Sequence, residues 1–204
     1  MFVTFEGPEG AGKSTALQAV AEKLRSLGYG VTTTREPGAG EFGKKVRQLL
    51  LDGDEIPPES ELLLFLADRA NHVATIIRPA LARGEIVLCD RYADSTLVYQ
   101  GVARGLDPVF TKLGNQFATR GLLPAVTLLF DLDPVIGLQR LATGARADVN
   151  RLDREPLEFH QRVREGFLRL SEQEPHRFVV LDASGLPENL ADASLDIILK
   201  RLEA

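Results

Sequence analysis

Eight residues near the start of the chain, Gly7 to Ser14, have the phosphate-loop sequence Gly-Pro-Glu-Gly-Ala-Gly-Lys-Ser. A short apolar strand, Phe2–Phe5, precedes this loop, and a helix-forming stretch, Ser14–Leu27, follows it. Glycines let such a loop curl so that its N–H groups face phosphate oxygens, and the N-terminus of the next helix adds partial positive charge. The order strand, loop and helix therefore predicts a site for a nucleoside triphosphate.

The same loop offers groups for both the triphosphate and a magnesium ion. Lys13 is expected to reach the β- and γ-phosphates, and the Ser14 hydroxyl is expected to coordinate Mg²⁺. The residues predicted to hold the triphosphate are Gly7, Glu9, Gly10, Ala11, Gly12, Lys13, Ser14 and Thr15.

Runs rich in Val, Leu, Ile and Phe alternate with helix-forming stretches along the chain. The predicted strands are Phe2–Glu6, Val31–Arg35, Ile86–Asp90, Val126–Leu132 and Phe178–Asp182. Their nearly continuous apolar character is typical of strands buried on both faces of a parallel sheet. The predicted helices are Ser14–Leu27, Gly43–Leu51, Glu59–Ala82, Pro108–Thr119, Pro134–Leu141, Pro156–Glu172 and Pro187–Leu202.

This alternation predicts one α/β domain over residues 1–204, with a three-layer P-loop NTPase fold. We expect a parallel five-stranded sheet with helices on both faces and a short arginine-rich lid at residues 143–154. That segment follows a helix, has few apolar residues and contains Arg146, Arg151 and Arg154. Its composition favours a mobile flap over a core element.

The composition and net charge of the chain restrict the kinds of partner that it is expected to bind. The chain has 204 residues, a formal net charge of −5 and one cysteine, Cys89. The acidic balance argues against nucleic acid as a partner, because non-specific binding to nucleic acid needs a basic face. No apolar run is long enough for a membrane span, and no signal peptide is recognisable. A lone cysteine fits a reducing cytoplasm.

The strand Ile86–Asp90 runs directly into Arg91, and this order distinguishes between classes of P-loop protein. The late strands lack the Asn-Lys-x-Asp sequence with which switch GTPases read guanine. An ATPase would use the carboxylate at the end of this strand to polarise water, and an arginine directly after Asp90 does not favour that role. The arginine suits transfer of phosphate between two anions. Such a transfer needs several arginines and a lid that excludes water.

Further motifs follow the phosphate loop in a specific order. They are Thr34–Gly38 (TREPG), Arg47 followed by Leu49–Leu51, Phe65–Arg69 (FLADR), Asp90–Tyr92 (DRY), Ser95–Thr96, Tyr99–Gly101 and the arginine-rich segment. In this order and spacing the chain resembles the thymidylate kinases of the nucleoside monophosphate kinase family over nearly its whole length. It departs at Ala39, where relatives commonly have glycine, and at Asn150, where they commonly have an acid.

The resemblance implies transfer of the ATP γ-phosphoryl group to dTMP, which yields dTDP and ADP, with Mg²⁺ as cofactor and a homodimer as the assembly. Lys13 and Arg91 would be catalytic, together with Arg151 and Arg146 from the lid. Ser14 and Asp90 would hold the metal ion.

The resemblance also implies a set of acceptor-binding residues. They are Glu9, Glu36, Arg47, Phe65, Arg69, Arg91, Ser95, Thr96, Tyr99 and Gln100. Phe65 and Arg69 lie four residues apart on one predicted helix and therefore share a face. On that face Phe65 can stack on a pyrimidine while Arg69 donates to a ring carbonyl. Tyr99 would crowd the sugar 2′ position.

Two alternatives stay open at this point. One is a kinase of another deoxynucleotide or nucleoside, which an acceptor panel would separate. The other is a P-loop ATPase that acts as a switch and hydrolyses ATP without any acceptor.

Overall fold

The computed structural model describes residues 1–52, 55–143 and 150–203. In this part of the chain five parallel strands form one sheet, in the order β2-β3-β1-β4-β5. The strands are β1 (Phe2–Glu6), β2 (Val31–Arg35), β3 (Ile86–Asp90), β4 (Val126–Asp131) and β5 (Phe178–Asp182). This confirms the predicted sheet, and only β4 ends one residue earlier than expected.

Helices connect the strands. They are α1 (Lys13–Ser26), α2 (Gly40–Arg47), α3 (Pro58–His72), α4 (Arg78–Ala82), α5 (Ala93–Thr96), α6 (Pro108–Thr119), α7 (Pro134–Ala142), α8 (Leu157–Gln173) and α9 (Pro187–Glu203). The described residues also include three π-helical segments. Gln48–Asp52 extends α2, Val73–Ile77 joins α3 to α4, and Leu97–Ala103 extends α5. Thus the single helix predicted over Glu59–Ala82 has three consecutive parts.

The sheet is the middle of three layers. On one face, Val3 and Phe5 of β1 pack with α1 and α9, in a cluster that includes Leu17, Leu24 and Ile198. On the other face, Phe2, Val87 and Cys89 pack with Val73, Ile77 and Ala80. Farther along this second face, Leu129 of β4 packs with Tyr99 and with the α8 residues Phe159, Val163 and Phe167. Burial on both faces explains why the central strands β1, β3 and β4 are mostly apolar. The edge strand β2 departs from the expected apolar character: its sequence is VTTTR and it is only half-buried.

The central position of β1 decides where the site lies. Phe5 is paired with Asp90 of β3, and Glu6 is paired with Leu129 of β4. The phosphate loop therefore leaves the sheet between the carboxyl ends of its two neighbours, which is where ligands gather in open parallel sheets.

The end of the predicted lid differs from expectation. Residues Leu152–Arg154 form a 3-10 turn, and Leu152 is buried in a cluster with Val46, Leu50 and Leu51. One apolar side chain thus fixes this end of the segment on α2 and its extension, so that these residues are packed rather than free. Residues 144–149, which include Arg146, lie outside the described residues. No helix in the described ranges is both long and apolar enough to cross a membrane.

Candidate active site

The phosphate loop is pressed against the sheet and against α7. Gly10 has φ 70°, and a Cβ on it would lie 2.3 Å from the backbone oxygen of Gly137. A Cβ on Gly137 would in turn lie 2.2 Å from the backbone oxygen of Glu9. Both positions therefore require glycine, and the helix that leads to the lid segment touches the loop backbone directly.

Lys13 begins α1 and is turned back over the loop. Its Nζ donates to the carbonyl oxygens of Gly7, at 3.0 Å, and Pro8, at 2.6 Å. Burial, followed by the charge of Arg91, lowers the pKa of Lys13 to about 8. Lys13 is thus a partly desolvated cation at the mouth of the loop, which is where a phosphate charge would gain most from it.

The predicted metal ligands, Ser14 and Asp90, meet at the end of β3. The Ser14 hydroxyl donates to Asp90 Oδ2. Among the described residues no group of three or more His, Cys, Asp or Glu side chains could hold a metal ion. A hydroxyl and one carboxylate beside a phosphate loop are nevertheless the donor set that Mg²⁺ takes in nucleotide sites, because phosphates and waters complete its shell. The residues therefore fit the ion.

Arg91 has a strained backbone, with φ 68°. Its N–H donates to Phe5 O at 3.0 Å, so the strand pairing of β1 with β3 continues into the arginine. Its guanidinium donates to Ser95 Oγ at 3.2 Å and to Glu9 Oε1 at 3.0 Å. A non-glycine residue in the left-handed region is costly, and such strain clusters at functional sites. The side chain is thereby held beside the phosphate loop.

Glu9, inside the loop, is a buried anion with several partners. Tyr99 donates its hydroxyl to Glu9 Oε1 at 2.6 Å, and His160 Nδ1 lies 3.4 Å from Oε2. Burial by itself would raise the pKa of Glu9, but Arg91, His160 and Lys13 together hold it well below its usual range. The carboxylate is therefore ionised and fixed on the side of the loop that faces Arg91 and Tyr99.

Arg69 of α3 is almost fully buried and bonds to four groups. It donates from Nε to Glu36 Oε2 at 2.8 Å and from Nη1 to Thr96 Oγ1 and Asn115 Oδ1, at 2.8 and 2.6 Å. Its Nη2 donates to the carbonyl oxygen of Tyr92 at 3.0 Å. A guanidinium has five N–H groups, so these bonds leave one N–H for a further acceptor.

One cavity of about 320 Å³ unites the loop with the acceptor residues. Of the predicted site residues, those lining it are Glu9, Gly10, Ala11, Gly12, Lys13, Ser14, Thr15, Glu36, Arg47, Phe65, Arg69, Asp90, Arg91, Ser95, Thr96, Tyr99 and Gln100. Two predicted site residues within the described ranges, Gly7 and Arg151, do not line the cavity. The cavity thus has a phosphate end and a second end with arginines and a phenylalanine.

Arg151 lies on the acceptor side, in contact with α3. It donates from Nη2 to Glu61 Oε2, at 2.5 Å, and from Nε to Leu50 O, at 3.1 Å. Its backbone N–H donates to Leu51 O at 3.2 Å. In this arrangement the arginine is bound to a buried carboxylate rather than to the phosphate loop.

Three side chains near the site were missed by reasoning from the sequence. Glu6 accepts from Ser95 Oγ at 2.6 Å and from Tyr92 N at 2.7 Å, so it supports the turn that carries Arg91. His160 faces Glu9 from α8, and nothing in the sequence indicates this contact. Glu61 carried a signal, because it lies four residues before Phe65 and eight before Arg69, on the same helix face.

The fold and this cavity define a P-loop phosphotransferase, in which a triphosphate site and an arginine-lined acceptor site open into one space. A family model described as "Thymidylate kinase" matches residues 5–193. The chain belongs to the thymidylate kinase family.

Curated relatives and a solved structure agree with this assignment. The chain is 48% identical over 209 residues to the thymidylate kinase of Nitratidesulfovibrio vulgaris strain DP4, covering 99% of this chain and 93% of the relative. It is 50% identical over 196 residues to the thymidylate kinase of Deinococcus radiodurans, covering 96% of this chain and 94% of the relative. The crystal structure of thymidylate kinase from Ehrlichia chaffeensis superposes with a TM-score of 0.79 at 32% identity, covering 97% of this chain and 98% of that one.

Proposed function

We propose that the protein transfers the γ-phosphoryl group of ATP to dTMP, giving dTDP and ADP for the synthesis of dTTP. One observation carries the proposal: Arg91 lies between the phosphate loop and the acceptor end of a single cavity. Its guanidinium contacts Glu9 of the loop and Ser95 of the acceptor wall. An arginine at that position can neutralise the acceptor phosphate and the transferred group together.

The phosphate end carries the charge stabilisation in this proposal. Backbone N–H groups of the loop and the N-terminus of α1 bind the triphosphate, and Lys13 stabilises charge that develops on the γ-phosphoryl group. Arg91 orients the attacking phosphate oxygen of the acceptor. Because little covalent chemistry falls to the protein in phosphoryl transfer, position and charge account for most of the rate.

Mg²⁺ belongs to the proposal through Ser14 and Asp90. Their oxygens lie together beside Lys13 at the end of β3. When bound, the ion supplies charge neutralisation at the phosphates.

The acceptor end supports a pyrimidine deoxynucleotide. Phe65 offers a ring face, and Arg69 has one uncommitted N–H for a ring carbonyl. Arg47, half-buried at the end of α2, donates to Pro37 O at 3.0 Å and lines the cavity, where its guanidinium would clamp the acceptor phosphate. Tyr99 is fixed between Phe159 and Phe167 and so forms a rigid wall that can exclude a ribose hydroxyl.

Arg151 remains the lid arginine that we propose to act on the transferred phosphoryl group. Its support is chemical: the loop residues between Gly7 and Lys13 include no arginine, so any cation that acts on the transferred group besides Lys13 and Arg91 must come from another segment. Its bonds to Glu61 and Leu50 hold it on the acceptor side, so action at the phosphates would require it to leave them. Arg146, also predicted to assist, lies outside the described residues.

An acceptor panel tests the proposed function. ADP formation by the wild-type protein is measured with ATP and Mg²⁺ plus dTMP, dUMP, dCMP, dGMP or thymidine, and without acceptor. We expect turnover that depends on an acceptor and is highest with dTMP. Rapid ADP formation without acceptor would instead identify a switch-type ATPase, and a higher kcat/KM for another acceptor would identify a different kinase.

We also propose that the protein works in the cytoplasm as a homodimer. An exposed apolar surface on α6 supports the second point: Val109, Phe110, Leu113 and Phe117 are 65%, 55%, 58% and 85% exposed. Leu63 of α3, the helix that packs on α6, is also exposed. Contiguous apolar surface of this kind marks protein interfaces.

A further inference from the structure

Glu61 is a buried carboxylate surrounded by donor groups of three residues, Gln100, Arg104 and Arg151. It lies on α3 and is 1% exposed. Its Oε1 accepts from Gln100 Nε2 at 2.8 Å and from Arg104 Nε at 3.3 Å. Its Oε2 accepts from Arg104 Nη2 at 3.2 Å and from Arg151 Nη2. Glu61 itself does not line the cavity, whereas Gln100 does.

The charge on Glu61 determines which way the Gln100 amide is turned. Burial favours the neutral acid, but hydrogen bonds from Gln100 and Arg151 and the charge of Arg104 lower the pKa of Glu61. An ionised carboxylate can only accept hydrogen bonds, so Gln100 must turn its NH₂ group toward Glu61. The carbonyl Oε1 is then the end of the amide left for the cavity.

We propose that Glu61 is a positioning residue that sets the base selectivity of the acceptor site by fixing the Gln100 carbonyl as an acceptor. This inference rests on the proposed function. A fixed acceptor suits a 2,4-dioxopyrimidine, such as thymine or uracil, which has an N–H at ring position 3. It disfavours a cytosine ring, whose N3 is itself an acceptor, because two facing acceptors remain unpaired.

Arg104 has a different role from Gln100 in this cluster around Glu61. Arg104 also donates to Glu155 Oε1 at 2.6 Å, and its guanidinium lies 4.8 Å from the Phe159 ring centroid. Arg104 thus contributes charge and packing, but it does not touch the Gln100 amide in any described contact. When Arg104 is removed, Arg151 still donates to Glu61, so the carboxylate keeps a charged partner and the Gln100 amide is not inverted. Arg104 is therefore the control for Glu61.

The test compares Glu61→Gln with Arg104→Met. The readout is the ratio of kcat/KM for dTMP to kcat/KM for 5-methyl-dCMP, two acceptors that differ only at ring positions 3 and 4. A glutamine at 61 can donate as well as accept, so the Gln100 amide can invert. We expect the ratio to fall about tenfold in Glu61→Gln, the size of one hydrogen bond to a base edge. Arg104→Met should keep the wild-type ratio.

An unchanged ratio in Glu61→Gln, or an equal fall in both variants, would overturn the proposal. Thermal unfolding of each variant reports whether it is folded. If Glu61→Gln does not fold, the exchange variant Glu61→Gln/Gln100→Glu carries the test, because it keeps the net charge and restores an acceptor-only group at position 100. We expect this variant to match or exceed the wild-type ratio, and a lower ratio would contradict the proposal. If the wild-type protein did not turn over dTMP at all, the proposed function itself would be refuted.

Discussion

At the scale of single residues, the site depends on charges removed from water. Lys13, Glu9 and Glu6 are buried, half-buried Arg91 lies beside them, and the surroundings shift the pKa of each of the three buried groups. In such surroundings one substitution changes several interactions, so the informative variants are those that keep shape and remove charge.

Lys13→Met should keep the fold and lower kcat by roughly a hundredfold or more, because it would delete the cation that we propose to stabilise the transferred phosphoryl group. Steady-state turnover with saturating ATP and dTMP measures the effect. Lys23→Met is the control, since Lys23 lies on the same helix but pairs with Asp192 at the surface. Near-normal turnover of Lys13→Met would remove the catalytic role of Lys13.

Glu6 predicts a pH dependence of stability. Burial, then the charge of Asp94, raises the pKa of Glu6 from its ordinary 4.5 to about 7, against the opposing charge of Arg91. The folded protein therefore binds this proton more tightly than the unfolded chain does. The resulting stabilisation is fully present below about pH 4.5 and is lost as the pH rises through about 7.

Glu6→Gln should remove that contribution. We expect the free energy of unfolding of the variant to fall less between pH 5 and pH 8 than that of the wild type, by up to on the order of 3 kcal/mol. Urea unfolding at a series of pH values measures the difference, and Glu188→Gln, at an exposed position of α9, is the control. Parallel curves for Glu6→Gln and wild type would show that Glu6 does not titrate in this range.

At the scale of elements, α3 is the helix that carries the proposed acceptor-binding residues Phe65 and Arg69. One face of α3 carries Glu61, Phe65 and Arg69. Glu61 accepts from Gln100, Phe65 lines the cavity, and Arg69 donates to Thr96. Arg69 also holds Glu36 in a buried ion pair, so its removal would destabilise the fold as well as the site. Phe65 is therefore the better probe of base stacking.

Phe65→Ala should raise the KM for dTMP about 5- to 150-fold and leave the KM for ATP unchanged, which corresponds to about 1–3 kcal/mol per stacked base. Leu64→Ala is a matched control, because Leu64 packs on the same apolar cluster and does not line the cavity. If the KM for ATP rose instead, or if both variants changed the KM for dTMP equally, Phe65 would not stack on the base.

The packed end of the lid segment, Asn150–Arg154, gives a second prediction at this scale. Arg151→Ala should lower the single-turnover rate about 10³-fold or more while changing equilibrium ATP binding little, as expected for a group engaged in the transition state. Arg154→Ala, at an exposed neighbouring position, is the comparison. Weak ATP binding with a normal chemical step would make Arg151 a ground-state clamp. A change confined to the KM for dTMP would limit Arg151 to its bond with Glu61.

At the scale of the whole molecule, the apolar surface of α6 bears on assembly. Phe117→Asp should convert the proposed dimer to a monomer, because it places a charge at the most exposed residue of the apolar surface that we propose to be buried between copies. Sedimentation velocity measures the outcome. Leu186→Asp is the control, since Leu186 is 64% exposed and lies between β5 and α9. A wild-type monomer, or a Phe117→Asp variant that stays dimeric, would exclude this surface as the interface.

The sequence predicts the strands almost to the residue, because burial on both faces restricts the composition of the central strands β1, β3 and β4. It predicts the phosphate loop for a similar reason, since backbone curvature and charge restrict each position. The π-helical segments could not be predicted, because a change of hydrogen-bond register depends on contacts from the rest of the fold. Leu152 shows another limit: one apolar residue in a polar stretch binds the segment to Leu50, and composition alone hides it.

The facing glycines at 10 and 137 have a consequence for anyone who wishes to redesign this enzyme. The two positions are 127 residues apart in sequence, yet a Cβ on Gly10 would meet the backbone oxygen of Gly137, and a Cβ on Gly137 would meet the backbone oxygen of Glu9. A library that varies either position alone samples only chains whose phosphate loop or α7 has been pushed out of place. The phosphate loop and α7 are thus structurally coupled, and they must be redesigned together.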